Sequence, residues 1–294
     1  MPHADSAIAV SARRVQTGLS VMTVQVDTTK FDVDLDETAI PATLLVERNE
    51  TNDFPSRREY RALLFAALAA AEADRVSVLV LGLPMYTFHR FADVLQKAFQ
   101  GLLTFGVKPV YVERVVVVPQ PLGSLLTMKA QHSELVKTTT LCVVDFGHNT
   151  ADWLVGRDLK TEFGRSGGRP GGAVQVYRDI AESISADLVG DVFDGIDQID
   201  FALRTGTPLL VHGQPVGLEQ YLARAMERSV ETARAIRVKV RSVGDLTLVL
   251  TGGGAPLFRQ AIELVFPQNR VIEMAEARFT NVAGFLLYGE QLAR

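Results

Sequence analysis

The sequence lacks the features that mark secreted, membrane-spanning and strongly nucleic-acid-binding proteins. Its only cysteine, Cys142, lies in an apolar run, so neither a disulfide framework nor a cysteine-rich metal site is available. No apolar run reaches the roughly 18 residues of a membrane span, and the start of the chain lacks the apolar core of a signal peptide. Basic residues (30) do not outnumber acidic ones (34), which argues against a wholly basic nucleic-acid binder. We therefore expect a cytoplasmic protein with no membrane association and no direct nucleic-acid binding.

What the sequence does contain is the pattern of an α/β protein. Its 294 residues are 47% hydrophobic and 22% charged, as in an ordinary globular protein, and the length suggests two lobes. The apolar strand segment "VSVLVLGLP" is followed by the helical segment "YTFHRFADVLQKAF" and a second strand segment, "VKPVYVERVVVVPQP". Apolar strands that alternate with helices predict a parallel or mixed sheet covered on both faces.

Further segments have clear local patterns. The stretch "VMTVQVDTTKFDVDLDE" alternates apolar and polar residues on both sides of residues 27–29, which predicts a hairpin with one buried face. The segment "RREYRALLFAALAAAEAD" predicts a helix with Ser56 as its N-cap. In the second half, residues 164–172 read as a Gly/Arg/Pro-rich loop, and helices are predicted at "VGLEQYLARAMERSVETARAIRVKV" and "ARFTNVAGFLLYGEQLA".

The stretch "CVVDFGHNTADWLVG", residues 142–156, is a candidate anion-binding hairpin. Gly147 would let backbone N–H groups approach an anion, and Thr150 adds a hydroxyl donor. Asp145, at the end of a buried strand, is suited to bind through water to a magnesium ion that accompanies a nucleotide phosphate. The alternative is a simple β-turn, because Gly, Asn and Asp are common turn residues.

The stretch "TGGGAP", residues 251–256, places Gly252, Gly253 and Gly254 between a buried strand and a helix. Such a loop lets a flat or anionic ligand lie against the backbone at the helix N-terminus. The alternative is a tight turn that needs positive φ, although a turn rarely requires three consecutive glycines. The motif is neither G-x-G-x-x-G nor a Walker loop.

Other candidates are weaker when taken alone. In "VVPQPLGSL", Gln120 follows a buried strand and could orient an attacking water, but a loop glutamine is more often structural. Arg165, Arg169 and Arg178 flank the glycine-rich loop and could meet phosphate or a partner protein, or form an exposed charged surface.

Taken in order, these motifs resemble the actin/Hsp70-like ATPase superfamily, and within it the ParM/StbA-like plasmid-segregation proteins. The nearest resemblance is to the actin-like protein D of PRTRC gene cassettes. "DFGHNTAD" looks like the second phosphate loop, D-x-G-x-x-T-x-D; "LVLTGGGAPLF" looks like the adenosine motif; and "VVPQPLGSLL" is similar to the segment that carries a catalytic Gln or Glu. The resemblance runs from about residue 22 to the end.

The resemblance implies an actin-like (ribonuclease H-like) α/β fold of two lobes, with mixed sheets flanked by helices. A lead-in would cover residues 1–21, the first lobe residues 22–139 and the second lobe residues 140–294. ATP would lie between the lobes, with Asp145 acting on Mg²⁺, Gly147 and Thr150 on phosphate, Gly252 to Gly254 on adenosine, and Gln120 on the hydrolytic water. Such proteins polymerise with ATP, and those of the ParM type move plasmids through a DNA-bound adaptor protein.

One departure from the family pattern concerns its first phosphate hairpin, D-x-G-x-G-x-x-K. No such motif precedes Val21, and "DTTK" at 27–30 has a lysine but no glycine. The first lobe is therefore expected to lack its N-terminal strands, either because the true start lies upstream or because the protein is a degenerate member. An incomplete nucleotide site leaves ATP hydrolysis open and leaves two alternatives: a non-hydrolysing interaction protein, and a small-molecule kinase of the same superfamily.

Overall fold

A computed structural model describes residues 21–34, 53–106, 108–190 and 192–294. These residues form two compact units, each of which combines sheet and helix. The first unit comprises residues up to 79 and residues 90–117, and the second comprises residues 80–89 and 118–292. Within the described ranges, no helix is both long and apolar enough to cross a membrane. The predicted lead-in lies almost wholly outside the described residues, and the boundaries predicted at residues 21 and 139 stay a prediction.

The first unit contains the predicted hairpin. Strands β1 (Val21–Val26) and β2 (Thr29–Asp34) pair antiparallel. Because alternate residues of a strand face the same side, the hairpin buries one apolar face, formed by Val24, Val26, Phe31 and Val33. This confirms the period-two prediction.

A helix and a second small sheet complete the first unit. Helix α1 (Arg58–Ala70) places Phe65 in the core, where its ring stacks on Phe105 with centroids 4.9 Å apart. Helix α2 (Phe88–Phe99) follows β3 (Arg75–Leu83), and β5 (Val110–Pro119) pairs with β3 on one side and with the short β4 (Gly101–Leu103) on the other. The last residues of β3 and β5 belong to the second unit.

The second unit is built on a mixed sheet of six strands: β6 (Thr140–Phe146), β7 (Thr150–Arg157), β8 (Lys160–Thr161), β9 (Gly167–Pro170), β12 (Leu246–Thr251) and β13 (Val271–Glu273). Their order is β13-β12-β6-β7-β8, with β9 also paired to β7. Strand β12 runs parallel to both β6 and β13, whereas β7 runs antiparallel to β6. Both faces of β6 and β12 are buried, as a continuous apolar run predicts.

Helices cover this sheet and carry its core. A large apolar cluster joins one face of the sheet to helices α5 (Ala173–Ile184), α7 (Glu219–Val240) and α8 (Ala255–Val265). A smaller cluster around Leu125 and Met128 lies against the opposite face. The small hairpin of β10 (Leu209–Val211) and β11 (Gln214–Val216) precedes the long helix α7. The helices are α3 (Gln120–Gln131), α4 (Ser133–Thr138), α5 (Ala173–Ile184), α6 (Ile196–Thr205), α7 (Glu219–Val240), α8 (Ala255–Val265) and α9 (Thr280–Leu292).

The predicted α/β class is confirmed, and two local predictions need correction. Ser56 is not an N-cap, because α1 begins after Arg57 and the Ser56 hydroxyl instead donates to the carbonyl of Asp53, 2.7 Å away. The glycine-rich stretch predicted as loop contains β9, which pairs with β7. The first error arises from a local turn that precedes the helix, and the second from pairing with a strand that is distant along the chain.

Candidate functional site

The second unit brings two aspartates together at the ends of β6 and β7. Asp145 and Asp152 are paired directly across the antiparallel ladder, so their side chains lie on the same face with Cβ atoms about 5 Å apart. Both are buried, at 6% and 1% exposure. Two buried carboxylates this close are not both charged unless a cation lies beside them, and without a cation one of them takes up a proton.

Burial changes the acidity of both groups. It raises the pKa of Asp145 to about 6, and the hydrogen bond donated by Asn281 acts in the opposite direction. It raises the pKa of Asp152 to about 7; the hydrogen bond from Thr150 lowers the pKa, and the charge of Asp145 raises it further. Perturbed carboxyl groups of this kind are concentrated at functional sites.

The two carboxyl oxygens of Asp152 have different surroundings. Thr150 Oγ1 donates to Oδ2 over 2.6 Å, whereas the buried Oδ1 has no hydrogen-bond partner among the described residues. The backbone N–H groups of Met85 and Tyr86 face the carboxyl and favour its charged form. Gly168 lies opposite in β9, and a Cβ there would come within 2.1 Å of Oδ1.

The turn between β6 and β7 presents a row of backbone N–H groups. The carbonyl oxygens of residues 147–149 all accept hydrogen bonds, 2.9–3.1 Å long, from N–H groups of residues 171–174 at the start of α5. Because a trans peptide places its N–H opposite its C=O, the next N–H groups, those of His148, Asn149 and Thr150, face away from α5. Successive N–H groups on one side form a concavity that suits an anion.

The glycine loop, residues 252–254, packs against the same strand end. Gly252 has φ of +84°, and a Cβ there would lie 2.3 Å from Asp145 Oδ1. Gly254 donates its N–H to Phe146 O over 2.8 Å, and a Cβ there would lie 3.0 Å from that oxygen. At Gly253 a Cβ would meet only Arg278 Cγ, 3.9 Å away. Gly252 is therefore required by packing, Gly254 is tightly packed, and a Cβ at residue 253 would make only one ordinary contact.

Gln120 is the first residue of α3, directly after Pro119. It lies one helical turn before Ser124, so both side chains share a face of the helix. Ser124 contacts Asn281, which in turn contacts Asp145. This chain of contacts places Gln120 on the helix face that leads to the aspartate pair.

The structure thus brings the predicted residues of "DFGHNTAD" and "TGGGAP" into one place and modifies what each can do. The N–H of Gly147 is already donated to Thr150 O over 2.9 Å. The hydroxyl proton of Thr150 is likewise donated to Asp152. Phosphate donors are better sought among the N–H groups at the tip of the turn. The roles assigned to Gln120, Asp145, Gly147, Thr150 and the glycine loop stay predictions.

Sequence reasoning did not assign roles to Asp152, Gly168 or Asn281. For Asp152 a signal existed: a two-residue turn at His148 and Asn149 fixes the register that places residue 152 opposite residue 145. For Asn281 none existed, because 136 residues separate it from Asp145.

The donor set fits a magnesium ion that arrives with a phosphate. No group of three His, Cys, Asp or Glu side chains gathers around one point within the described ranges, so a cage built of protein alone is not formed there. Mg²⁺ usually keeps several waters and binds through one or two carboxylates together with substrate phosphates. The Asp145–Asp152 pair, with the orphaned Oδ1 of Asp152, matches this preference.

Comparisons with known proteins identify the fold. A family model described as the actin like proteins N terminal domain matches residues 11–123. The archaeal actin homolog Ta0583 matches with a TM-score of 0.76 at 20% identity, over 93% of this chain and 88% of that chain. Its complex with ADP matches with a TM-score of 0.72 at 20% identity, over 92% and 90% of the two chains.

A third similar structure is a ParM protein from Clostridium botulinum in a 15-stranded filament. Its TM-score is 0.72 at 17% identity, over 97% of this chain and 90% of that chain. No protein of curated function matches this sequence. The chain therefore has the actin-like α/β fold, with mixed sheets flanked by helices, as the sequence motifs predict.

Proposed function

We propose that this chain is an actin-like ATP-binding protein of the ParM/StbA type that acts in the cytoplasm in plasmid or mobile-element segregation. The observation that carries the proposal is the buried Asp145–Asp152 pair beside a turn whose N–H groups face away from α5. A carboxylate pair needs a cation, and a row of N–H groups needs an anion. Magnesium with a nucleotide phosphate satisfies both needs.

Each part of the site has a distinct role in this proposal. Asp145 holds the magnesium through water, and Asp152 adds a second carboxylate beside it. The turn N–H groups bind phosphate, and Gly253, with open space beside it, lets the nucleoside lie against the backbone. Bound magnesium would neutralise phosphate charge. ADP in the complex of the similar archaeal homolog supports a nucleotide as the ligand.

Calorimetric titration of the protein with ATP and ADP, with Mg²⁺ and with EDTA, tests the proposal. We expect saturable binding that Mg²⁺ strengthens and that Asp145→Asn weakens. Glu263→Gln, at an exposed position of α8, is the control and should bind as the wild type does. Absence of nucleotide binding under every condition would exclude the proposed function.

Hydrolysis is proposed to depend on Gln120, which stands on the helix face leading to the aspartate pair. Release of phosphate from ATP should fall at least tenfold in Gln120→Ala, a typical loss for a residue that positions a reacting group, while ADP affinity stays unchanged. Equal turnover in both proteins would remove Gln120 from the reaction.

Self-association into filaments is the second part of the proposal, together with a DNA-bound adaptor as partner. The filament of the similar ParM protein supports it. A relationship to protein D of PRTRC cassettes is proposed from the sequence motifs alone.

A second candidate is a non-hydrolysing interaction protein with the same fold. It is favoured by the absence of the first phosphate pattern, D-x-G-x-G-x-x-K. The turn between β1 and β2 does not replace that pattern, because it contains no glycine and holds Asp27 at φ of +53°. The carboxyl of Asp27 lies 3.5 Å from both Arg58 and Arg61, so this turn is engaged in ion pairs. Partner association that ignores nucleotide would favour this candidate, and nucleotide-dependent association would count against it.

A further inference from the structure

The side chain of Asn281 joins the start of α9 to the carboxyl of Asp145. Its Nδ2 donates to Asp145 Oδ2 over 2.6 Å. Its Oδ1 accepts from both the hydroxyl and the backbone N–H of Ser124, at 2.7 and 3.2 Å. One amide therefore links β6, α3 and α9, three elements that are far apart in the chain.

The orientation of this amide is fixed by chemistry. A backbone N–H can only donate, so the N–H of Ser124 must face the oxygen of the amide. The NH₂ group is then left to face Asp145. Asn281 can offer Asp145 a donor and never an acceptor, and a hydrogen bond to a carboxylate is among the stronger kinds.

A buried cluster of hydroxyl groups holds the start of α9 in place. Ser124 Oγ lies 2.9 Å from both Thr251 Oγ1 and Thr280 Oγ1. Those two threonine hydroxyls also contact each other, and both donate to Ala277 O, at 3.0 and 2.9 Å. Ser124 and Thr251 are fully buried and Thr280 is 3% exposed. Each hydroxyl has only one proton to donate, so not all of these short contacts are hydrogen bonds at the same time. The close packing of three buried hydroxyl groups nevertheless fixes the start of α9 against α3.

The backbones of α3 and α9 meet without intervening side chains. A Cβ on Gly123 would lie 2.3 Å from Asn281 O, and a Cβ on Gly284 would lie 1.8 Å from Gly123 O. Phe285 fills the adjacent space, within 2.7 Å of the Gly123 Cβ position and 2.4 Å of that at Gly82. Asn281 is therefore placed by the backbone itself, with little freedom to move relative to α3.

We propose that Asn281 is a positioning residue that fixes the Asp145 carboxylate for its magnesium-bound water. Asp145 Oδ1 packs against the backbone of Gly252, where a Cβ would come within 2.3 Å, and Oδ2 accepts from Asn281, so the carboxylate presents one orientation before the ligand arrives. Such preorganisation lowers the cost of binding. The inference rests on the proposed function, because it concerns the magnesium that accompanies the nucleotide.

A purely structural role for Asn281 makes a different prediction. If Asn281 only connects α9 to β6 and α3, its replacement would weaken nucleotide binding to the same degree with and without Mg²⁺. A positioning role acts on the part of the affinity that Mg²⁺ supplies. We define the magnesium factor as the ADP dissociation constant in EDTA divided by that in Mg²⁺. A general loss of ADP affinity changes both constants equally and cancels in this ratio.

The variant to measure is Asn281→Ser, because its side chain is too short to reach Asp145 but keeps a polar atom near Ser124. We expect its magnesium factor to fall at least about tenfold, the loss of one charge-assisted hydrogen bond, while ADP affinity in EDTA changes little. Ser124→Ala should reduce the factor far less, because the backbone N–H of residue 124 still orients the amide.

Thr127→Val is the matched control. The hydroxyl of Thr127 donates to Thr280 O over 2.8 Å, so this variant alters the same helix pair without touching the amide of Asn281. Its magnesium factor should equal that of the wild type. An unchanged factor in Asn281→Ser would overturn the positioning role, as would an equal fall in Thr127→Val.

A measurement on the wild-type chain covers the case in which Asn281→Ser does not fold. Addition of Mg²⁺ to the ADP complex should shift the NMR signals of the Asn281 NH₂ group, and unshifted signals would contradict the inference. A wild-type chain that binds no nucleotide at all excludes the proposed function instead. Nucleotide binding with an Asn281-independent magnesium factor excludes only the positioning role.

Discussion

At the scale of single residues, the neighbouring positions Gly252 and Gly253 differ in whether they can accept a side chain. Alanine at 252 would combine a φ of +84° with a Cβ 2.3 Å from Asp145 Oδ1, so Gly252→Ala should lower the free energy of unfolding by roughly 2–5 kcal/mol. Gly253→Ala meets nothing closer than 3.9 Å and should change it by less than about 0.5 kcal/mol. Chemical denaturation of both variants measures the difference. Equal losses of unfolding free energy in the two variants would show that residues 252 and 253 do not differ in their tolerance of a side chain.

The aspartate pair predicts how stability depends on pH in the nucleotide-free and metal-free protein. Burial raises the pKa of Asp145 to about 6 and that of Asp152 to about 7. Between about pH 4 and pH 7 the folded chain therefore holds protons that the unfolded chain has released, and the free energy of unfolding falls as pH rises. Each unit of raised pKa corresponds to at most about 1.4 kcal/mol.

Asp152→Asn removes one titrating carboxyl from the pair. We expect the variant to be more stable than the wild type at about pH 8 and to show a shallower loss of stability above about pH 5. Denaturation midpoints at several pH values measure both effects. Asp93→Asn, at an exposed position of α2, is the control. A wild type that gains stability across this pH range would contradict the prediction.

At the scale of elements, Arg165 fastens the segment before β9 to the end of α7. Its guanidinium donates to both carboxylate oxygens of Asp245, at 3.0 and 3.1 Å, and to the carbonyls of Val240 and Ser242, at 2.9 and 2.6 Å. Its side chain is only 16% exposed. Lysine cannot reproduce this fork of donors, so Arg165→Lys should lower the free energy of unfolding by about 1–3 kcal/mol.

Arg259→Lys on α8 is the matched control for that variant. Arg259 pairs with the carboxylates of Glu263 and Glu273, and its side chain is 49% exposed. Exposed ion pairs contribute about 0–1 kcal/mol, so the loss should be smaller than for Arg165→Lys. If denaturation gives the two variants equal losses, the fork of hydrogen bonds made by Arg165 contributes no more to stability than an exposed ion pair does.

The elements that could be predicted from sequence are those with a strong period or a continuous apolar run, such as β1, β6 and α7. Strand β9 could not be, because its glycines carry no strand propensity. The strand forms because of a tertiary contact, in which Gly167 pairs with Trp153 and Gly168 with Asp152. Glycine is needed at both positions, because a Cβ would lie 2.8 Å from the Trp153 ring and 2.1 Å from Asp152 Oδ1. The same limit applies to Asn281, whose contacts depend on the folded arrangement of β6, α3 and α9.

At the scale of the whole molecule, the fold could be predicted because three loops at strand ends occur in a fixed order, each with its own glycine or aspartate pattern. The similar structures match the fold over almost the full length of this chain, at 92–97% coverage in the three structures described above. Assembly into a filament differs from the fold in this respect. A filament contact depends on two complementary surfaces, and such surfaces leave no periodic pattern in the sequence. Self-association is therefore a prediction that only solution measurements can decide.

We expect the chain to sediment as polymer when ATP and Mg²⁺ are both present and to stay in the supernatant without them. The reason is linkage, because a ligand shifts a population toward one conformation only by its difference in affinity for the two. The proposed nucleotide site at Asp145 and Asp152 would couple such a shift to ATP and Mg²⁺. Asp145→Asn should abolish pelleting, while Asp93→Asn should pellet as the wild type does. Pelleting that persists unchanged in EDTA, or in Asp145→Asn, would separate assembly from the nucleotide site and favour the non-hydrolysing interaction protein.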